Sequence, residues 1–191
     1  MKSAVVRLIL VVLLSAFAVP VSGCDAHVPG RVSAAASDAT EPGAPATSSM
    51  DGPSDSARMV CAEEAQQEIE AALGVHLSEP LAPTWLDYVY SCRYVFPTGV
   101  IVLAVKELPD AASTLAYFML LQNKAGQPVW LEDLGEAAFA GPDGSAVVRK
   151  DFKVLQVDVS GLPDKFGQSS LTRAEAARQV AIVIMECWPG G

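Results

Sequence analysis

Residues 85–108 read WLDYVYSCRYVFPTGVIVLAVKEL. In the first half Tyr88, Tyr90, Cys92 and Tyr94 fall at alternate positions, with Val89, Ser91, Arg93 and Val95 between them. In a strand, successive side chains point to opposite faces, so the four aromatic and sulfur side chains share one side and a more polar set shares the other. Pro97-Thr98-Gly99 interrupts the pattern, and the run from Gly99 to Leu108 is again apolar and β-branched. Two such runs on either side of a turn signal predict an antiparallel hairpin. The tyrosine row is read as the core side, facing the first helix. A ligand platform made of Tyr88, Tyr90 and Tyr94 is the other reading of the same face, and the set containing Val89, Ser91, Arg93 and Val95 is expected to be partly wet.

Outward from this hairpin the pattern changes to helical spacing. Before it, MVCAEEAQQEIEAALG (59–74) sets Cys61, Ala65, Ile69 and Ala72 on one side, places glutamates largely on the others and stops at Gly74, the pattern of an amphipathic helix with a glycine C-cap. After it, DAASTLAYFMLLQNKAG (110–126) recovers the spacing through Ala111, Leu115, Phe118 and Met119. A turn at Pro142-Asp143-Gly144 precedes two further strand-like runs, Ser145–Arg149 and Phe152–Ser160, joined at Lys150-Asp151. The last helix starts at Thr172-Arg173-Ala174-Glu175, a capping-box pattern. The expected order is α-β-β-α-β-β-α. Hairpin-linked strands with intervening helices give an α+β fold, an antiparallel sheet of about four strands with helices packed on it. Residues 59–191 are expected to form a single globular domain, monomeric on its own.

Four cysteines occur, at 24, 61, 92 and 187. With Cys24 assigned to the N-terminal signal discussed below, three remain, which allows one pair and one further thiol. Of the three pairings, Cys61–Cys92 ties the first helix to the first strand over a local connection and is favoured. Cys187 lies on the apolar side of the last helix with Val180 and Ile184. No C-x-x-C spacing supports a thioredoxin-like redox role.

The N-terminus carries Lys2 and Arg7, an apolar run from Leu8 to Val19, and then small residues. This is the arrangement of an export signal, and the run is short of the roughly 20 residues that span a bilayer. Val21-Ser22-Gly23-Cys24 resembles the lipobox of bacterial lipoproteins. The resemblance implies cleavage of residues 1–23 and diacylation of Cys24, usually with a further acyl chain on the new N-terminus. Two or three chains suffice for stable anchoring where one is marginal. Residues 25–58 are rich in Ala, Ser, Pro, Gly, Thr and Asp and hold no aromatic side chain. With Cys24 they are read as a disordered tether, spanning roughly 30 Å as a flexible coil. The expected location is the extracytoplasmic face of the cell membrane, reached through the lipid anchor. Loss of Lys2 and Arg7 leaves 11 basic against 22 acidic side chains, a balance that disfavours nucleic acid as a partner.

Chemistry-bearing motifs are few. The sequence has no G-x-S-x-G elbow, H-E-x-x-H, phosphate-cradling glycine loop or G-x-G-x-x-G. His76 is the one histidine after the tether, and Glu132, Asp133 and Glu136 cluster without the spacing of a calcium loop. No catalytic residue, metal site or cofactor is expected. The lipobox, the tether, the helix-opening Cys61, the Ser91-Cys92-Arg93-Tyr94 strand and Asp133-Leu134-Gly135-Glu136-Ala137 together resemble the small actinobacterial cell-envelope lipoproteins. This chain departs from many of them in lacking a second cysteine pair in its C-terminal half. The resemblance implies an envelope role without an established activity. The expectation is a lipid-anchored, non-catalytic module that binds an envelope protein or a small ligand at the outer face of the cytoplasmic membrane. An accessory or assembly subunit of an envelope machine is the alternative, with an unrecognised hydrolase third.

Overall fold

The central hairpin forms, but it belongs to a larger sheet than the sequence pattern announces. The computed structural model describes residues 52–188, so Cys24, the signal and most of the tether lie outside the described residues. In chain order the elements are helix α1 (Asp55–Arg58), a 3-10 turn (Met59–Cys61), α2 (Glu63–Leu73), strands β1 (Pro83–Leu86), β2 (Val89–Phe96) and β3 (Gly99–Glu107), and α3 (Ala111–Ala125). There follow β4 (Val129–Leu131), β5 (Ala137–Ala140), β6 (Ala146–Lys150), β7 (Lys153–Gly161) and α4 (Arg173–Cys187). The fold is α+β, but the antiparallel sheet has seven strands rather than about four. The expected order α-β-β-α-β-β-α is corrected accordingly, by one strand before the first hairpin and two before the second.

The first extra strand comes from the quoted stretch itself. Trp85 to Phe96 is not one strand, because Asp87 and Tyr88 both take positive φ, +51° and +58°, and Leu86 pairs with Val89. A two-residue loop with both residues in the left-handed region matches the right-handed twist of the strands it joins. Tyr88 therefore sits in a turn and leaves the face it was expected to share. Tyr94 and Cys92 are buried and Tyr90 is half-buried against the same core. The core reading holds for Tyr94 and in part for Tyr90, and fails for Tyr88.

The sheet order is β1-β2-β3-β7-β6-β5-β4. Residues directly opposite one another share a face, so the ladder registers sort the whole sheet. One row runs Trp85, Tyr90, Val105, Leu155, Val148, Ala138, Leu131. Its side is the inner face, on which α2 and α4 pack through Ala65, Ile69, Leu73, Ala177, Val180 and Ile184. The helical stripe of α2 ends on Leu73 rather than the exposed Ala72. Gly74 closes α2 in the left-handed conformation, and Thr172 and Glu175 make both halves of the capping box of α4. Cys61 and Cys92 stand at disulfide distance, with Cα atoms 5.5 Å apart, which links the 3-10 turn ahead of α2 to β2. Beside them the Tyr94 hydroxyl donates to the Val60 carbonyl at 2.9 Å.

Ordered structure begins ahead of residue 59. Asp55–Arg58 form a helical turn capped by Ser54, and Ala57 is buried. The Ser54 N–H donates to the Glu107 carboxylate, 3.2 Å from Oε1, so the chain enters the fold at the end of β3, just ahead of α3.

Candidate functional site

The second face of the sheet decides what the molecule can present. Its middle row is Thr84, Ser91, Ala104, Gln156, Val147, Phe139 and Trp130. Helix α3 covers only one half of it. Phe118, with Tyr117, Leu121 and Ala125, packs on Phe139, Val147 and Val154, so β5, β6 and the start of β7 lie under the helix. Opposite β1, β2 and β3 no helix packs among the described residues. There Val89, Ser91, Val95, Val102 and Ala104 are half-buried, while Thr84, Arg93 and Asp158 are exposed. The partly wet side expected for Val89, Ser91, Arg93 and Val95 is this open half.

Its chemistry is a floor of small and β-branched side chains with polar groups at intervals. Arg93, Val102 and Asp158 are successive neighbours across three strands. Two strand spacings, about 10 Å, separate the backbones that carry the cation and the carboxylate. Thr84 Oγ1 and Ser91 Oγ are hydrogen bonded at 2.7 Å. At the border with α3, Gln156 Nε2 donates to the Tyr117 hydroxyl at 3.3 Å. A hollow of about 260 Å³ continues the face past the end of β6, lined by Asp143, Ser145, Val147, Gln156, Asp158 and Ser160. At the opposite rim the Lys106 ammonium donates to the Asp87 carbonyl and lies 5.6 Å from the centre of the Tyr88 ring.

The structure thus separates the three tyrosines of the quoted stretch. Tyr94 is core, Tyr90 is half-buried on the inner side, and Tyr88 alone borders the open face. Burial, with the Glu70 carboxylate adding to it, holds the Tyr94 phenol well above its ordinary range, in keeping with a structural hydroxyl. Ala104, Gln156 and Asp158 were not singled out in the sequence. Their signal was present, since Gln156, Asp158 and Ser160 alternate with Leu155, Val157 and Val159, a half-wet strand pattern.

The other candidate groups have structural partners. In the Asp133–Ala137 segment, Leu134 is buried and Glu136 is held by the Asp151 N–H at 2.9 Å and by Arg149 at 3.3 Å. Gly135 has φ +61°, and a Cβ there would meet the Arg149 carbonyl at 2.7 Å, so the glycine lets this loop lie against β6. Among the described residues no three His, Cys, Asp or Glu side chains form a metal-holding group. His76 is exposed, and its Nδ1 lies 3.1 Å from Glu70 Oε2, while Glu70 Oε1 accepts from the Leu77 N–H at 2.7 Å.

Burial pushes the Glu70 carboxyl up, but the Leu77 N–H, His76 and Gln66 outweigh it and the net shift is downward. A carboxyl lowered in the folded state contributes stability above its ordinary value, lost as pH falls through the folded one. Glu70→Gln is expected to lower stability at neutral pH by about 1–2 kcal/mol, as charged hydrogen bonds do. In urea unfolding the gap to the native chain should narrow by about pH 3. A gap of the same size at both pH values would contradict this role.

Comparison of the chain with protein-family models, with curated proteins and with solved structures finds no match. The functional reading therefore stands on the open half-face.

Proposed function

We propose that this protein is a lipid-anchored, non-catalytic binding module at the outer face of the cytoplasmic membrane, and that the uncovered half of its sheet receives an envelope protein or a small ligand. The observation that supports the binding surface is the asymmetry of cover. Among the described residues α2 and α4 cover the inner face and α3 covers half of the other. The remaining half carries an exposed cation and an exposed carboxylate on an apolar floor. Exposed strand faces of this kind take ligands through side-chain contacts, and neighbouring charges set orientation. The anchor is supported by the export signal and the lipobox-like Val21-Ser22-Gly23-Cys24.

The two parts are tested separately. Cys24→Ala should leave the chain uncleaved or unlipidated. Partition of that variant into detergent with its signal removed would overturn anchoring at this cysteine. For the binding face, a photoreactive amino acid at Ala104 of the membrane-borne protein should give a discrete adduct that Arg93→Glu abolishes, whereas the same probe at Glu68, on the exposed side of α2, should not. No adduct from Ala104, or equal labelling from both positions, would refute the open face as the site.

A further inference from the structure

The two edges of the sheet are finished differently. At one, β1 opens on Pro83, which has no N–H to offer. At the other, β4 holds neither proline nor charge, and Val129 and Trp130 are 66% and 57% exposed. By register Val129 lies on the inner side of the sheet and Trp130 on the side of α3, so exposed apolar surface flanks this edge on both faces. Proteins blunt an edge with charge, proline, a cover or a short strand, because its unpaired backbone groups accept another strand. Of these devices β4 has only its shortness, three residues.

The ladder fixes which backbone groups are on offer. Gly141 N–H donates to the Ser145 carbonyl at 2.8 Å, in the register of the β5–β6 ladder. In an antiparallel ladder one residue exchanges both bonds with its opposite neighbour, and the next turns both groups to the other side. Phe139 therefore bonds to β6, Ala138 and Ala140 bond to Leu131 and Val129 of β4, and Trp130 is left with its N–H and carbonyl directed away from the sheet. Among the described residues no other backbone group reaches them.

Charge at the end of β4 sets the sign of what can pair there. A hollow of about 500 Å³ opens along the chain from Trp130 to Ala138. Its Glu136 is matched by Arg149 at 3.3 Å, whereas Glu132 and Asp133 are exposed and have no bonding partner among the described residues. A second copy would bring the same excess of carboxylates, since the chain carries 22 acidic residues against 13 basic, while a basic segment would be attracted and held in one register. In an antiparallel addition the partner residue that meets Glu132 comes before those that meet Leu131, Trp130 and Val129.

We infer that β4 takes an extended segment of a partner protein as an added antiparallel strand, one in which basic residues are followed directly by three apolar ones. Main-chain bonds to Trp130 supply the pairing, and side chains of the added strand meet Val129 on one face and Trp130 on the other. This edge is at the far end of the sheet from the open half-face, so it is a second surface beyond the one proposed above.

The test uses the full chain and a labelled synthetic peptide, Lys-Lys-Val-Phe-Val-Thr, followed by fluorescence anisotropy. Binding is expected, with slowed hydrogen exchange of the Trp130 amide. It should be lost when the peptide phenylalanine is N-methylated or the lysines are replaced by glutamates, and Glu132→Lys/Asp133→Lys should reverse the preference between the two charge forms. Trp130→Pro withdraws the outward N–H and leaves the bonds of Val129 and Leu131 to β5 in place, so it should abolish binding where Trp130→Ala only weakens it. Should Trp130→Pro fail to fold, the N-methylated peptide decides the same point. No binding of the lysine peptide, or equal binding of its N-methylated form, overturns strand addition. Loss of binding in Arg93→Glu also overturns it, by placing the peptide on the open half-face. So does slowing of Trp130 exchange that follows protein concentration without peptide, which would assign the edge to a second copy.

Discussion

Tyr94→Ala is expected to lower the unfolding free energy by about 3–5 kcal/mol, the range for deletion of a fully buried aromatic side chain. Tyr94 has no exposure to solvent, its ring stacks on Phe96 with centroids 6.5 Å apart, and its hydroxyl holds the Val60 carbonyl. The ring ties β2 to the turn that precedes α2. Its removal opens a void at the junction of sheet and helix and strands a buried acceptor. Tyr94→Phe separates the two contributions, because it keeps the volume and loses only the hydrogen bond, about 1–3 kcal/mol for a buried acceptor left unpaired. Tyr88→Ala in the β1–β2 turn should change stability by no more than about 0.5 kcal/mol. Chemical denaturation of the three variants checks the order. A Tyr88→Ala loss equal to that of Tyr94→Ala would contradict the division of the tyrosines between turn and core.

The second large effect is expected at Cys61 and Cys92. A bond between them closes a loop of 31 residues, for which restriction of the unfolded chain corresponds to about 3–4 kcal/mol. The double variant Cys61→Ala/Cys92→Ala should lose that amount, and reduction of the native chain a similar one. Peptide mapping should recover the Cys61 and Cys92 peptides as one linked species. A Cys92 peptide linked instead to Cys187 would sink the assignment and detach the 3-10 turn from β2.

The parts of the fold legible in the sequence were those with a local chemical signature. Gly74 needed its left-handed φ, Thr172 and Glu175 formed the expected reciprocal cap, and alternation marked β2, β3, β6 and β7. Asp87-Tyr88 escaped because neither residue is the glycine or asparagine that announces a two-residue turn, so β1 merged with β2. The strands β4 and β5 are three and four residues long, and Ala137-Ala138-Phe139-Ala140 has no β-branched side chain to distinguish it from a loop. The orientation of α3 was not legible for another reason. Apolar residues surround most of its circumference, so spacing alone does not tell which side meets the sheet. In the structure Thr114 faces the sheet, because its hydroxyl is satisfied by the Asp110 carbonyl at 2.6 Å. Of the candidate site, the β2 contribution was visible in the alternation of Ser91 and Arg93 with Cys92 and Tyr94. The contribution of Gln156 and Asp158 depended on β3 lying beside β7, a pairing between distant segments that no local pattern encodes.

That pairing divides the folding of the chain into local and distant steps. Every other neighbouring pair of strands is also consecutive in sequence, so β1-β2-β3 and β4-β5-β6-β7 are two meanders that each close over short turns. Only β3 and β7 join across a long excursion, from Glu107 to its partner Lys153, and closing such a loop is the entropically slow event in a β topology. Cys61 and Cys92 lie wholly on the N-terminal side of that seam. The expected sequence of events is therefore oxidation and formation of the first meander while the second is still arriving, with zippering of β3 onto β7 last. Pulsed hydrogen exchange during refolding checks it: amides bonded across β2–β3 and β6–β7 should become protected before those across β3–β7, and simultaneous protection of all three would mean that the sheet forms in a single step.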